Sequence, residues 1–193
     1  VKKRQAVSGV DINLEQAWKT YGNGNHDTIV AMIDTGIDYT HEDLKDTLWV
    51  NTDEIPGNGI DDDGNGYVDD VYGWNFYNNN NQIFTGEEDS HGTHGAGTIS
   101  AGTGNGIGIA GIVPGNRVRV MALKALGGTD GGGSTAAVIK AIRYAEDNGA
   151  VICNLSLTST VDDKALYEAM KNSSMLFVVA TGNGNPKTGK GVD

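Results

Sequence analysis

Apolar residues along the chain fall into short, nearly unbroken runs separated by stretches of different period. "DTIVAMID" (27–34) is apolar at almost every position between its two aspartates, as a strand covered on both faces would be. "RVRVMALKAL" (117–126), "AVICNLSL" (150–157) and "MLFVVATGN" (175–183) read as strands too, the last two buried. Between these runs the period changes. "NLEQAWKTYG" (13–22), "STAAVIKAIRYAEDNG" (134–149) and "DDKALYEAMKNS" (162–173) predict helices, the first two closed by glycine. "HGTHGAGTISAG" (91–102) has small residues at helical spacing, with Ser90 placed to cap its start. Residues 51–89, rich in Asn, Asp and Gly, predict loop.

Strands alternating with helices predict an α/β fold: a parallel sheet with helices on both faces. Sites in such sheets form at the carboxyl ends of strands, and Asp34, Ser156 and Asn183 fall at such ends. The 193 residues suit one domain, without internal repeat or linker. The 29 glycines against 3 prolines fit many tight turns.

Charge narrows the function classes. With 25 acidic and 14 basic residues the net charge is -11, which argues against a nucleic-acid partner and suits calcium. The single cysteine, Cys153, lies in an apolar run and reads as a small buried hydrophobe. No apolar run has the length of a membrane span, and the opening "VKKRQAVSG" has no hydrophobic signal region.

Three groups of residues carry candidate chemistry. Asp34 ends a buried strand, where it either caps the following turn or pairs with a donor such as a histidine ring. His91 and His94 are three apart with no glutamate between them, unlike the His-Glu-x-x-His pattern of zinc proteases. If either is a general base it is His91, at the helix start, where a side chain projects into a cleft. His94, one turn further in, reads as a packing residue bonded to backbone or water. Finally, in "DDDGNGYVDD" the oxygen ligands Asp61, Asp63 and Asn65 alternate ahead of Gly66. The Tyr67 carbonyl and a carboxylate from Asp69 or Asp70 would extend a calcium cage, although Tyr72 stands where an EF-hand-type loop has its glutamate. A solvated acidic loop is the plain alternative.

Four segments in order, "VAMIDTGID", "HGTHGAGTISA", "NLSL" and "VVATGNGN", resemble the subtilisin-like serine proteases, and the likeness runs over residues 10–185. The resemblance implies that Asp34 orients His91, that His91 is the general base toward a serine, and that Asn183 donates to the oxyanion. It implies that Ser156, Leu157 and Thr158 form one wall of a substrate cleft, opposite Gly131, Gly132 and Gly133, for an extended peptide. It also implies a second calcium site from Asp43, Asn105 and the carbonyls of Thr103, Ile107 and Ile109, and a secreted or cell-surface protein.

Two departures bear on function. Thr158 replaces the glycine usual after the Ser-Leu pair and is expected to narrow the primary pocket. The Gly-Thr-Ser segment that carries the family's nucleophile has no counterpart among these residues. Residues 1–193 are therefore expected to be the N-terminal portion of such a peptidase domain, with the sheet incomplete and the serine on a C-terminal remainder. The other class left open is a catalytically inactive domain of this type that binds peptides or protein partners.

Overall fold

The computed structural model describes residues 9, 11–22, 24–115, 117–159 and 161–184. Its elements in chain order are α1 (Leu14–Tyr21), β1 (Thr28–Asp34), β2 (Gly73–Asn75), a 3-10 turn (Glu87–Asp89), α2 (Ser90–Ser100), β3 (Val118–Lys124), β4 (Leu126–Gly127), β5 (Gly132–Gly133), α3 (Thr135–Asp147), β6 (Ile152–Leu155), α4 (Lys164–Asn172) and β7 (Leu176–Val179). Five strands make one parallel sheet in the order β2-β3-β1-β6-β7, while β4 and β5 form a separate antiparallel hairpin.

The unbroken apolar runs become strands because both faces of the sheet are covered. Ala31 and Ile33 of β1 pack with Met121 and Leu123 of β3 against Ala137, Val138, Ala141 and Ile142 of α3. Their alternates Met32, Val120 and Ala122 face Ala96 of α2 and the loop residues Leu44 and Leu48. Helix α4 adds Leu166 and Met170 to the α3 side. The expected architecture, a parallel sheet with helices on both faces, is the one found. No helix among the described residues is long and apolar enough to cross a membrane.

Helix ends follow local chemistry in most cases. Gly22 closes α1 at φ +58°, its N–H donating to the Trp18 carbonyl at 2.8 Å. Ser134 caps α3 by accepting from the Ala137 N–H, and Asp163 caps α4 by accepting from Ala165 and Leu166. Helix α2 differs from expectation. Ser90 is its first residue, and Asp89 occupies the capping position without a side-chain cap bond, because its carboxylate is engaged elsewhere.

Two further expectations are corrected. The stretch 51–89 is loop except for the 3-10 turn Glu87–Asp89 and β2, which pairs with β3 and was hidden by its brevity and lack of β-branched residues. Strand β7 is not a buried strand: among the described residues it lies at the sheet's edge with only β6 beside it, and Leu176 and Val178 are 63% and 53% exposed.

Candidate active site

Parallel register places Asp34 and Lys124 side by side at the carboxyl ends of β1 and β3. Asp34 is fully buried. Its Oδ1 accepts from the Thr35 N–H at 2.7 Å and lies 2.8 Å from His91 Nδ1, so Nδ1 is the protonated ring nitrogen of that contact. The other oxygen, Oδ2, is buried with no hydrogen-bond partner among the described residues. A buried carboxylate with one oxygen unpaired is stabilised most when the neighbouring ring becomes cationic. The His91 side chain is 61% exposed, which leaves Nε2 available to a reactant.

His91 stands where it does because α2 starts directly beside the turn after β1. The Gly92 N–H donates to Thr35 Oγ1 at 3.1 Å, and the Asp38 N–H to Thr93 Oγ1 at 3.0 Å. His94 is elsewhere. It is exposed and lines a small cavity of about 210 Å³ with His41 and Asp43. Its ring makes no hydrogen bond to another described residue, and Leu44, Ala101 and Ile109 line the same cavity.

One cleft of about 730 Å³ is lined by His91, Gly131, Gly132, Gly133, Ser156, Leu157 and Thr158 together. Gly131 adopts φ +63°, and a Cβ there would meet only Thr35 Cγ2, at 4.0 Å. Gly133 is different: a Cβ there would meet the Ala125 carbonyl oxygen at 2.3 Å, so its lack of a side chain serves the hairpin itself. Ser156 Oγ accepts from Asn154 Nδ2 at 2.9 Å. Asn183 is exposed beyond β7, does not line this cleft, and makes no hydrogen bond among the described residues. Its neighbour Gly182 lies against Thr158, with 3.8 Å between its Cβ position and Thr158 Cγ2.

Serines share the cleft wall, but none hydrogen-bonds His91 among the described residues. Ser134 caps α3, and Ser159 is bonded to the backbone of Val161. Ser90 precedes His91 on the same helix, where adjacent side chains point apart. Ser8 lies outside the described residues. Cys153 behaves as the sequence suggested: it is buried, and burial pushes its thiol up to about 12.

The acidic loop divides its expected ligands. Carboxylate oxygens of Asp63, Asp70 and Glu54 all come within 4.8 Å of one another, with Glu54 and Asp70 buried. No lysine or arginine pairs with them among the described residues. Like charges this close favour a hard divalent cation with oxygen ligands, so the donor set fits calcium. Asp61 accepts from the Asn65 and Gly66 N–H groups, and Asp69 from those of Gly57, Asn58 and Gly59, so both shape turns. Asn65 Nδ2 bridges Asp63 and Asp70. Tyr67 packs its ring against Trp74, Phe76 and Tyr144.

In the second loop, Asn105 Nδ2 donates to Asp43 Oδ1 at 2.7 Å and the Ile109 N–H to Asp43 Oδ2 at 3.0 Å. The Asn105 bond, before the backbone ones, holds the Asp43 carboxyl below its usual range. The carbonyls of Thr103, Ile107 and Ile109 accept no hydrogen bond among the described residues. Carboxylate, amide and carbonyl oxygens are the kind a calcium ion takes.

Sequence reasoning missed Glu54, Asn154, Asp89 and Lys124. Lysine inside the largely apolar run 117–126 was itself a signal, since a buried ammonium needs an acidic partner.

Comparison with known proteins gives one family match and three relatives. Residues 25–192 match the model of the subtilase family. The chain is 36% identical over 166 residues to subtilisin-like protease 1 of Plasmodium berghei (strain Anka), covering 83% of this chain and 27% of that protein. It is 36% identical over 157 residues to the major intracellular serine protease of Bacillus subtilis (strain 168), covering 80% of this chain and 42% of the relative. It is 33% identical over 154 residues to the halolysin-like extracellular serine protease Nep of Natrialba magadii, covering 79% and 24%. The chain thus spans about a quarter to two fifths of these relatives' lengths.

Proposed function

The chain belongs to the subtilase family, and from that membership we propose that it supplies the acid and the base of a serine endopeptidase whose nucleophile lies outside residues 1–193. One observation carries the reading: buried Asp34 holds Nδ1 of an exposed histidine at the edge of a two-walled cleft.

In this mechanism His91 Nε2 takes the serine hydroxyl proton as that oxygen bonds to the scissile carbonyl carbon. Asp34 fixes the tautomer and stabilises the imidazolium. His91 then returns the proton to the leaving amine as the C–N bond breaks, leaving an acyl-enzyme. Water, deprotonated by His91, releases the acid and restores the serine. Asn183 donates its side-chain amide to the oxyanion in the reacting complex. The extended peptide lies between Gly131–Gly133 and Ser156–Thr158, with Thr158 beside the residue preceding the cut.

Calcium belongs to the same reading as a stabilising ion. Glu54, Asp63 and Asp70 hold one ion, with Asp61, Asn65, Tyr67 and Asp69 shaping the loop around it. Asp43, Asn105 and the carbonyls of Thr103, Ile107 and Ile109 hold another. Export from the cell, or display on its surface, fits carboxylate loops that fill where calcium is abundant, and detection of the protein in the extracellular fraction checks it.

The full-length protein tests the assignment. It should hydrolyse peptides and take up a fluorophosphonate label on a serine beyond residue 193, and His91→Ala should abolish both turnover and labelling. Absence of label from the correctly folded full-length protein overturns the catalytic reading in favour of a peptide-binding domain.

A further inference from the structure

Lys124 and Asp89 form an ion pair closed off from water: their side chains are 2% and 0% exposed, with Nζ 2.5 Å from Oδ1. The proteolytic mechanism above uses neither residue. Such a pair is expensive to bury and is a poor source of net stability compared with apolar side chains of the same volume. Its geometry shows what it is suited to do.

The ammonium of Lys124 also donates to the Thr35 carbonyl, in the turn that follows Asp34. Asp89 is the residue immediately before α2, two positions from His91. Its second oxygen accepts from the Thr85 N–H at 2.6 Å and from Thr85 Oγ1 at 2.9 Å. One buried cation therefore ties the end of β3, the turn carrying the acid and the start of the helix carrying the base. The Gly92 N–H bond to Thr35 Oγ1 runs between the same two bodies.

We propose that Lys124 and Asp89 are positioning residues, which act through Thr35 and α2 to hold Asp34 and His91 at their 2.8 Å separation. The proposal rests on the proteolytic reading. A change at the pair shifts the helix start against the turn, so it alters the base without touching the cleft wall. Misplacement by about 1 Å is enough to lower a catalysed rate about 100-fold.

The test uses the full-length protein with the double substitution Lys124→Met/Asp89→Asn, which removes both charges while leaving an oxygen for Thr85. Three readouts are taken: melting temperature, kcat and KM on a peptide, and the downfield proton resonance of His91 Nδ1–H. The double variant should melt close to the wild type, lose about 100-fold in kcat with KM within about threefold, and show the Nδ1–H resonance moved upfield or lost. Asp89→Asn alone should move the resonance the same way, and it serves where the double variant does not fold. An unshifted resonance in the folded variant with wild-type kcat overturns the proposal and makes the pair a purely structural device. A wild type that shows the resonance but cleaves nothing overturns the proteolytic reading instead, and the resonance of the variants still decides the pair.

Discussion

A Cβ built on Gly92 would stand 2.2 Å from the carbonyl oxygen of Gly36 and 3.2 Å from the β-carbon of Asp34. Helix α2 therefore meets the turn after β1 backbone to backbone, and that contact brings the imidazole of the preceding residue to the carboxylate.

Gly92→Ala tests how tight this approach is. Within a helix alanine is favoured over glycine by about 1 kcal/mol. Here the obstacle is the Gly36 backbone, so the helix start must move, and overpacking of this kind costs about 1–3 kcal/mol. We expect a lower melting temperature, by about 2–4 °C for each kcal/mol in a domain of this size. Thermal melts followed by circular dichroism measure it, and a variant as stable as the wild type would mean that the two segments have room to part.

Calcium should stabilise the protein, most of all through the carboxylates that converge in the acidic loop. An ion bound only by the folded state at 100 times its dissociation constant adds about 2.7 kcal/mol. Chelation should therefore lower the melting temperature. Glu54→Gln and Asp70→Asn should shrink the calcium-dependent rise more than Asp61→Asn does, since Glu54 and Asp70 are buried with oxygens within 4.8 Å of each other and of Asp63, a cluster that does not include Asp61. Melts with calcium and with chelator compare the variants. Equal shrinkage in all of them would return Asp61 to the ligand set.

That ranking marks how much the sequence revealed. The buried runs of β1 and β3 are continuous because helices cover both faces, so periodicity alone exposed them, and Asp34 and His91 followed from strand end and helix start. The pairing of those two residues and the cleft walls became legible only through the resemblance to subtilisin-like proteases. Glu54 was not, because it stands outside the alternating Asp-x-Asp-x-Asn pattern and reaches Asp63 only through the folded loop. Nor was the Lys124–Asp89 pair, which joins residues 35 apart in sequence. The edge position of β7 was hidden for a related reason: a run of Leu, Phe and Val reads as buried whatever its neighbours in space.

Acid should weaken the tie between α3 and the segment leading into β7. The Ser174 N–H and hydroxyl both donate to Glu146 Oε1 at 2.7 Å. The backbone bond first, then the hydroxyl, holds this carboxyl below its ordinary value of 4.5. With the folded value depressed, the unfolded chain takes up the proton more readily. The contribution is thus present above about pH 4.5 and lost as the pH falls through the folded value. Glu146→Gln should flatten the fall in melting temperature between about pH 5 and about pH 3. Identical acid profiles for the two proteins would show that the contact carries no linkage.

Thr158 should set the size of the residue accepted before the cut. It follows β6 in the cleft wall, and its methyl group lies against Gly182, on the segment that leads to Asn183. A side chain in that position occupies space between the wall and the segment that leads to Asn183. Removing it opens the pocket on the side where a large ring would enter. Hydrophobic pockets discriminate by about 10- to 200-fold per methylene-sized difference. Thr158→Gly in the full-length enzyme is therefore expected to raise the ratio of kcat/KM for a peptide with Phe before the cut over one with Ala by about tenfold or more. Because both peptides meet the same Asp34–His91 pair, a general loss of activity cancels from the ratio. A ratio that stays at the wild-type value would place the threonine outside the pocket, with its methyl group serving only to support Gly182.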